Sequence, residues 1–178
     1  MDSDIPKQFI ELDGMPILMR TMNVFYETDP RMNIILTLPR DQMKVWTKLC
    51  EEYRFSVPHI LVEGGKTRFH SVKNALTKAV KEGIIGIHDG VRPFVTPEII
   101  RNCYDMAVEK KAVVPVVEVM ETLRQLYPFG RNRTVSRSEY RLVQTPQVFD
   151  AALLHKAYEQ PYSSLFTDDA SVVEYIGA

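Results

Sequence analysis

A single α/β domain, with a mostly parallel sheet carrying helices on both faces, is the fold the sequence predicts. Two observations carry that expectation. Segments with apolar residues at helical spacing alternate along the chain with short unbroken apolar runs of strand type. The length of 178 residues, with 45% hydrophobic and 25% charged content, is that of one ordinary globular domain with a sizeable core. Strands alternating with helices of this length build βαβ units.

The elements follow in order. PILMRTMNVFYE (Pro16–Glu27) has helical periodicity, with proline at an early helical position, and MNIILTL (Met32–Leu38) is a strand-type run. RDQMKVWTKLCEEY returns to helix and PHILVEG to strand. Thr67 to Glu82 reads as a helix closed by Gly83, followed by the strand IIGIHD. A helix from about Thr96 to Lys110, begun by TPE, leads to the strand AVVPVVEV. After Val119 the pattern breaks. METLRQLYPFGRNRTVSRSEYRLVQ is charged and aromatic, with strand-like segments around the turn YPFGRN, and is too long for a simple connection. A protruding β-hairpin arm at about 119–142, packed on another subunit, is expected there. FDAALLHKAYEQ and DDASVVEYIGA are read as closing helices, the second capped by Thr167-Asp168.

Charge and cysteine content exclude several function classes. Twenty-two basic against 23 acidic residues leave a formal charge of −1, so no general basic field asks for nucleic acid or a membrane surface. Any anionic ligand must then meet a local cluster of cations. Cys50 and Cys103 lack the spacing of a zinc site or a disulfide framework, which fits reduced thiols in a cytoplasm. No run approaches a membrane span and no signal peptide opens the chain.

Four clusters fall at loops beside expected strand ends, where open sheets bind ligands. Lys7 in PKQ is a point charge suited to a phosphate, or a solvated surface lysine. GGKTRFHS (Gly64–Ser71) is a glycine turn before a helix; it lets backbone approach a ligand, as many ordinary turns would. HDGVRP places Asp89 and Arg92 three apart, facing one cleft or forming a local salt bridge. TVSR with QTPQ adds Arg137, a fork for phosphate, and Thr145, although Arg137 also reads as one solvated arm arginine among several. His70 and His88 are the base candidates. A reaction in which phosphate attacks phosphate needs none, because its nucleophile is already ionised.

Taken together, PKQF, GGxxRxxSV, HDGVRPF, TVSR and QTPQVF, in this order and from about Ser3 to Gly177, resemble the 2-C-methyl-D-erythritol 4-phosphate cytidylyltransferase family. The resemblance implies a Rossmann-like fold of the nucleotide-diphospho-sugar-transferase type and a homodimer formed through the arm. It also implies a magnesium-dependent transfer from CTP to a sugar-alcohol phosphate, with release of pyrophosphate. Residue by residue, it places Lys7 at the α-phosphate and Gly65, Lys66 (through backbone) and Ser71 at the cytosine. Asp89, Gly90 and Arg92 fall between ribose and sugar phosphate, Thr122 and Thr145 near the sugar phosphate, and Arg137 across the dimer on that phosphate. No metal ligand is assigned. The family is expected to open with a strand and an AGGxGxRM-like loop and to close with further strands. This chain starts at what resembles the Met ending that loop, with Asp2 where glycine is usual, so truncation at both ends is expected.

Two other readings stay open. Ribitol-5-phosphate cytidylyltransferases share HDxVRPF and QTPQ, while Ser71 and Arg137 favour methylerythritol phosphate. A shortened chain is alternatively a non-catalytic dimer module. Nucleic-acid binding through Arg124, Arg131, Arg133, Arg137 and Arg141 is not expected, given the acidic residues around them and the neutral whole.

Overall fold

Proline, hydroxyl and carboxylate side chains at loop ends set where the helices begin. The computed structural model describes residues 5–177; Met1 and Asp2, read above as the remnant of a glycine-rich loop, lie outside them. A short turn at Lys7–Phe9 precedes β1 (Glu11–Leu12) and β2 (Met15–Pro16), which pair antiparallel. Helix α1 (Ile17–Thr28) starts after Pro16 and buries Leu18, Met19, Thr21 and Met22, the 3.6-period stripe read from the sequence. Strand β3 (Ile35–Leu38) leads through Pro39 into α2 (Arg40–Glu52), which anchors itself with Trp46. Strand β4 (Ile60–Glu63) lies parallel to β3.

Helix α3 (Arg68–Leu76) is capped by Thr67. It ends six residues before the expected Glu82, because the Thr77 hydroxyl turns back onto the Asn74 carbonyl at 2.7 Å and the following residues continue as turns. Strand β5 (Ile84–Ile87) follows, then α4 (Pro97–Lys110), capped by Thr96 with Pro97 in its first turn. The expected strand AVVPVVEV divides at Pro115, which has no N–H to donate, into β6 (Ala112–Val113) and β7 (Val116–Glu118). In the arm region β8 (Arg124–Leu126) and β9 (Asn132–Thr134) form a hairpin whose tip carries Phe129 and Gly130 at positive φ, and β10 (Arg141–Val143) pairs with β7.

The chain then corrects two expectations. Gln147–Asp150, expected to lead straight into helix, is a strand, β11, and only at Ala151 does α5 (Ala151–Ala157) begin, capped by the Asp150 carboxylate. Strand β11 lies antiparallel between β5 and β6. Among the described residues the sheet is therefore not mostly parallel: β3–β4 is a parallel pair and β5–β11–β6 an antiparallel unit. Val148 and Phe149 are consecutive and fully buried, and periodicity cannot separate so short a run from a buried helical turn. Helix α6 (Asp169–Glu174) closes the described chain with a reciprocal capping box between Asp168 and Ser171.

Each sheet unit has its own core. Phe9, Leu18, Met19, Leu38 and Trp46 pack beside β3–β4, whereas Phe69, Phe149, Leu154, Tyr158 and Val172 pack beside β5–β11. Gly86 in β5 is required by a close neighbour: a Cβ there would lie 2.5 Å from the Tyr104 hydroxyl and 2.9 Å from its ring. Burial raises that phenol to about 12. Gly86→Ala is expected to cost about 1–3 kcal/mol through overpacking, measured by urea unfolding. A loss below about 0.5 kcal/mol would mean that Tyr104 swings aside freely.

Candidate active site

Three loops meet at the ends of β4, β5 and the segment entering β11. The first continues β4: Gly64 donates to the Leu38 carbonyl at 2.9 Å, keeping the chain in the ladder direction as it enters the glycine turn. The Gly65 amide donates to Ser71 Oγ at 3.0 Å, and Ser71 Oγ donates to the Thr67 carbonyl at 3.1 Å. A Cβ on Gly65 would overlap His70, so this turn admits glycine alone. The sequence motif thus becomes a loop fastened to the first turn of α3.

The second loop is His88-Asp89-Gly90-Val91-Arg92, a turn closed by the Arg92 amide donating to the Asp89 carbonyl at 3.0 Å. The Asp89 carboxylate accepts from Arg92 Nε at 2.9 Å and faces Arg68 Nε at 3.7 Å. Arg92 Nη1 donates to Gln144 Oε1 at 2.8 Å, and the Asp89 amide reaches Thr145 Oγ1 at 3.4 Å. The Gly90 carbonyl accepts from the Thr21 hydroxyl of α1 at 2.9 Å. Asp89, Gly90, Arg92 and Thr145, expected together, are together, and Gly65 and Ser71 adjoin them through Arg68. The Thr145–Pro146 peptide bond is cis.

Sequence reasoning missed what stands behind this cluster. Asp169 is fully buried, and its carboxylate accepts from Arg68 Nη2 and from the Tyr158 hydroxyl, the latter at 2.6 Å. Gln147 donates to Asp168 at 2.8 Å and accepts from the Ala170 amide at 2.9 Å. Charges therefore alternate from the core outward: Asp169, Arg68, Asp89, Arg92. A buried carboxylate persists only when paired and hydrogen-bonded, and Arg68 shares its guanidinium between that need and Asp89. The signal was present as a surplus. One carboxylate caps α6, so the second in Thr167-Asp168-Asp169 required another purpose. Burial, with the Asp169 carboxylate beside it, raises the Tyr158 phenol well above its usual range.

The two histidines are structural. His70 Nδ1 bonds with Thr67 Oγ1 at 2.8 Å at the start of α3, and His88 Nε2 bonds with the Arg92 carbonyl at 3.0 Å, which makes Nε2 the protonated nitrogen. Burial pushes the His88 imidazole below its usual value, so at neutral pH it is uncharged.

Lys7, Thr122 and Arg137 are not joined to the cluster by any hydrogen bond or ion pair among the described residues. Lys7 is exposed on the turn preceding β1, Lys66 is exposed at the glycine turn, and Thr122 lies exposed in the arm region. Arg137 donates to the Met120 carbonyl within the arm. No three His, Cys, Asp or Glu side chains gather into a metal cage among the described residues. No described helix is long and apolar enough to cross a membrane.

Comparison with known proteins adds to this geometry. Residues 1–178 match the family described as IspD, 2-C-methyl-D-erythritol 4-phosphate cytidylyltransferase. The chain belongs to that family. A 2-C-methyl-D-erythritol 4-phosphate cytidylyltransferase of Bacteroides thetaiotaomicron is 56% identical over 177 residues, covering 99% of this chain and 80% of that protein. The crystal structure of the cytidylyltransferase of the same description from Thermus thermophilus superposes with a TM-score of 0.78 at 30% identity, over 97% of this chain and 79% of that one. The 4-diphosphocytidyl-2C-methyl-D-erythritol synthase of Anaerococcus prevotii superposes with a TM-score of 0.83 at 25% identity, over 96% and 76%. The α/β fold is that of the cytidylyltransferase family.

Proposed function

We propose that this cytidylyltransferase joins CTP to 2-C-methyl-D-erythritol 4-phosphate, giving 4-diphosphocytidyl-2-C-methyl-D-erythritol and pyrophosphate, in isoprenoid precursor biosynthesis. The observation that carries the reading is the convergence of the GGxxRxxS, HDGVRP and QTPQ loops within a chain matched to the family from end to end. A phosphate oxygen of the sugar phosphate attacks the α-phosphorus of CTP. The bond to the bridging oxygen breaks and pyrophosphate leaves. The nucleophile is already ionised, in keeping with the structural engagement of His70 and His88. Catalysis then rests on positioning two anions and on cations that meet the charge developing at phosphorus.

The roles follow the loops. Gly65, Lys66 and Ser71 present backbone and hydroxyl groups to the cytosine. Asp89 and Gly90 face the ribose, and Arg92, with Thr145 beside it, faces the sugar phosphate. Lys7 supplies charge at the α-phosphate. Magnesium is held in such sites by one or two carboxylates and by substrate phosphates. With Asp89 already paired to two guanidinium groups, the residues fit an ion carried mainly by the triphosphate, where it would neutralise charge.

Arg137 acts in a homodimer, from the arm of one protomer onto the sugar phosphate in the site of the other, and Thr122 offers a hydroxyl near that phosphate. Exposed apolar side chains on the arm support this, among them Met120, Leu126, Leu142 and Phe129, the last 97% exposed. Arg137→Ala is then expected to raise the KM for the sugar phosphate on the order of tenfold, as loss of a charge-assisted hydrogen bond does, and the KM for CTP far less. Equal effects on both constants would remove Arg137 from that position. The function itself is tested by pyrophosphate release with CTP, magnesium and either sugar phosphate. Methylerythritol phosphate is expected to turn over. Faster turnover of ribitol 5-phosphate, or a dimer with no turnover at all, would overturn the assignment.

A further inference from the structure

The turn that carries Lys7 is held from one face of α2. Gln42 and Trp46 are four apart, so they lie one above the other on that helix. Gln42 bonds to the Gln8 side chain, and the Trp46 ring stacks on Phe9 with 16° between planes and 6.3 Å between centroids. The two residues that directly follow Lys7 are thereby fixed to neighbouring positions on the helix. Phe9 and Trp46 are both buried, and the Phe9 amide closes the turn by donating to the Pro6 carbonyl at 2.8 Å.

The orientation of Trp46 is set by His59, a residue outside every sequence motif. An indole N–H can only donate, and Trp46 Nε1 donates to His59 Nε2 at 2.9 Å. Nε2 is therefore the nitrogen without a hydrogen, and Nδ1 donates to the Val57 carbonyl at 2.8 Å. With both nitrogens engaged, the imidazole cannot flip without losing both bonds. Phe55 closes the group, its ring centroid 5.6 Å from that of Trp46 and 6.1 Å from that of His59. The Ile60 amide, next in the chain, donates to the Ile34 carbonyl at 2.9 Å, which ties His59 to the β3–β4 pair. A buried indole N–H left without an acceptor is costly. Removing His59 draws that indole toward another acceptor and away from its stack on Phe9.

We propose that His59 is a positioning residue for the cytidylyl transfer: through Trp46 and Phe9 it holds the turn that aims Lys7 at the α-phosphate. The role of Lys7 rests on the functional reading above, whereas the clamp rests on side-chain geometry alone. A misplacement of about 1 Å can cost on the order of 10²-fold in rate. A turn that loses one anchor keeps the other, Gln8 to Gln42, so a loss nearer tenfold is expected.

The test uses variants of the full chain. His59→Phe keeps the ring contacts and removes the acceptor, His59→Gln restores an acceptor, and His59→Ala replaces the first variant if it does not fold. In His59→Phe, kcat is expected to fall about tenfold while KM for CTP and for the sugar phosphate changes less than about twofold. His59→Gln is expected to stay within about threefold of the parent. In a Lys7→Ala background the same His59→Phe change is expected to lower kcat by less than about twofold, because the group it positions is gone. Amide exchange at Phe9 and Ile10 is expected to quicken at least about tenfold in His59→Phe, with the amides of β11 unchanged. An equal loss of kcat with and without Lys7, no rescue by glutamine, or exchange quickened uniformly along the chain would overturn the proposal. A parent chain without turnover would overturn the functional reading instead. The exchange rates then decide the clamp, and an unchanged Phe9 amide would overturn it.

Discussion

Lys7→Ala is expected to lower kcat on the order of 10²-fold or more in the cytidylyl transfer, as the loss of one positioned charge donor generally does. The local structure argues for a side chain kept for a ligand. Phe9, two residues on, is buried and stacks on Trp46 with ring centroids 6.3 Å apart, so the turn carrying Lys7 is pinned to the core beside β3. Gln8 is tied to Gln42 of α2 by a side-chain hydrogen bond. Lys7 itself stays exposed and has no salt bridge among the described residues. A rigid base carrying an exposed cation is suited to developing charge at phosphorus. Since the side chain is exposed, Lys7→Ala should shift stability by no more than about 0.5 kcal/mol. Steady-state kinetics with saturating CTP separate the two effects. A fall in kcat of less than about threefold, at unchanged stability, would remove Lys7 from the transition state.

The second large effect is one of stability. Asp169→Ala deletes a fully buried carboxylate that pairs with Arg68 and accepts from Tyr158. It leaves a guanidinium and a phenol without their acceptor. Breaking a buried pair from one side generally costs about 3–5 kcal/mol. The Arg68 side chain is 37% exposed and regains some hydration, which moves the expectation to about 2–3 kcal/mol, or roughly 4–12 °C in Tm for a chain of this size. A double-mutant cycle with Arg68→Ala isolates the pair, and a coupling of at least about 1 kcal/mol is expected. Additive losses would mean that Arg68 and Asp169 act separately. Because Arg68 also faces Asp89, Asp169→Asn is expected to raise KM for CTP even where the chain remains folded.

Much of this site was legible one residue type at a time. A glycine that admits no Cβ, a threonine that caps a helix and a proline that divides a strand each act through their nearest neighbours. Gly65, Thr67 and Thr96 could therefore be placed from sequence, whereas the division of AVVPVVEV at Pro115 was not read, and the motif residues Asp89, Arg92 and Thr145 do meet. The end of α3 was not legible, because a hydroxyl bonding back onto its own turn competes with continued helix by a margin that local composition does not reveal. Strand β11 was missed for a different reason. Its two central residues, Val148 and Phe149, are consecutive, apolar and both buried, so the alternation that marks a strand is erased.

By itself, then, the sequence determined the α/β class, most element positions and the glycine, HDGVRP and QTPQ loops that converge, since all of these follow from short-range periodicity, turn chemistry and residue type. Tertiary structure alone decided that β11 runs antiparallel between β5 and β6, that Asp169 stands behind Arg68, and that β3 and β5 border one cavity. Those facts depend on which distant segments exclude water from one another. Pairing energies between residues as far apart as Arg68 and Asp169 arise only once the intervening chain has folded, and no local pattern encodes them.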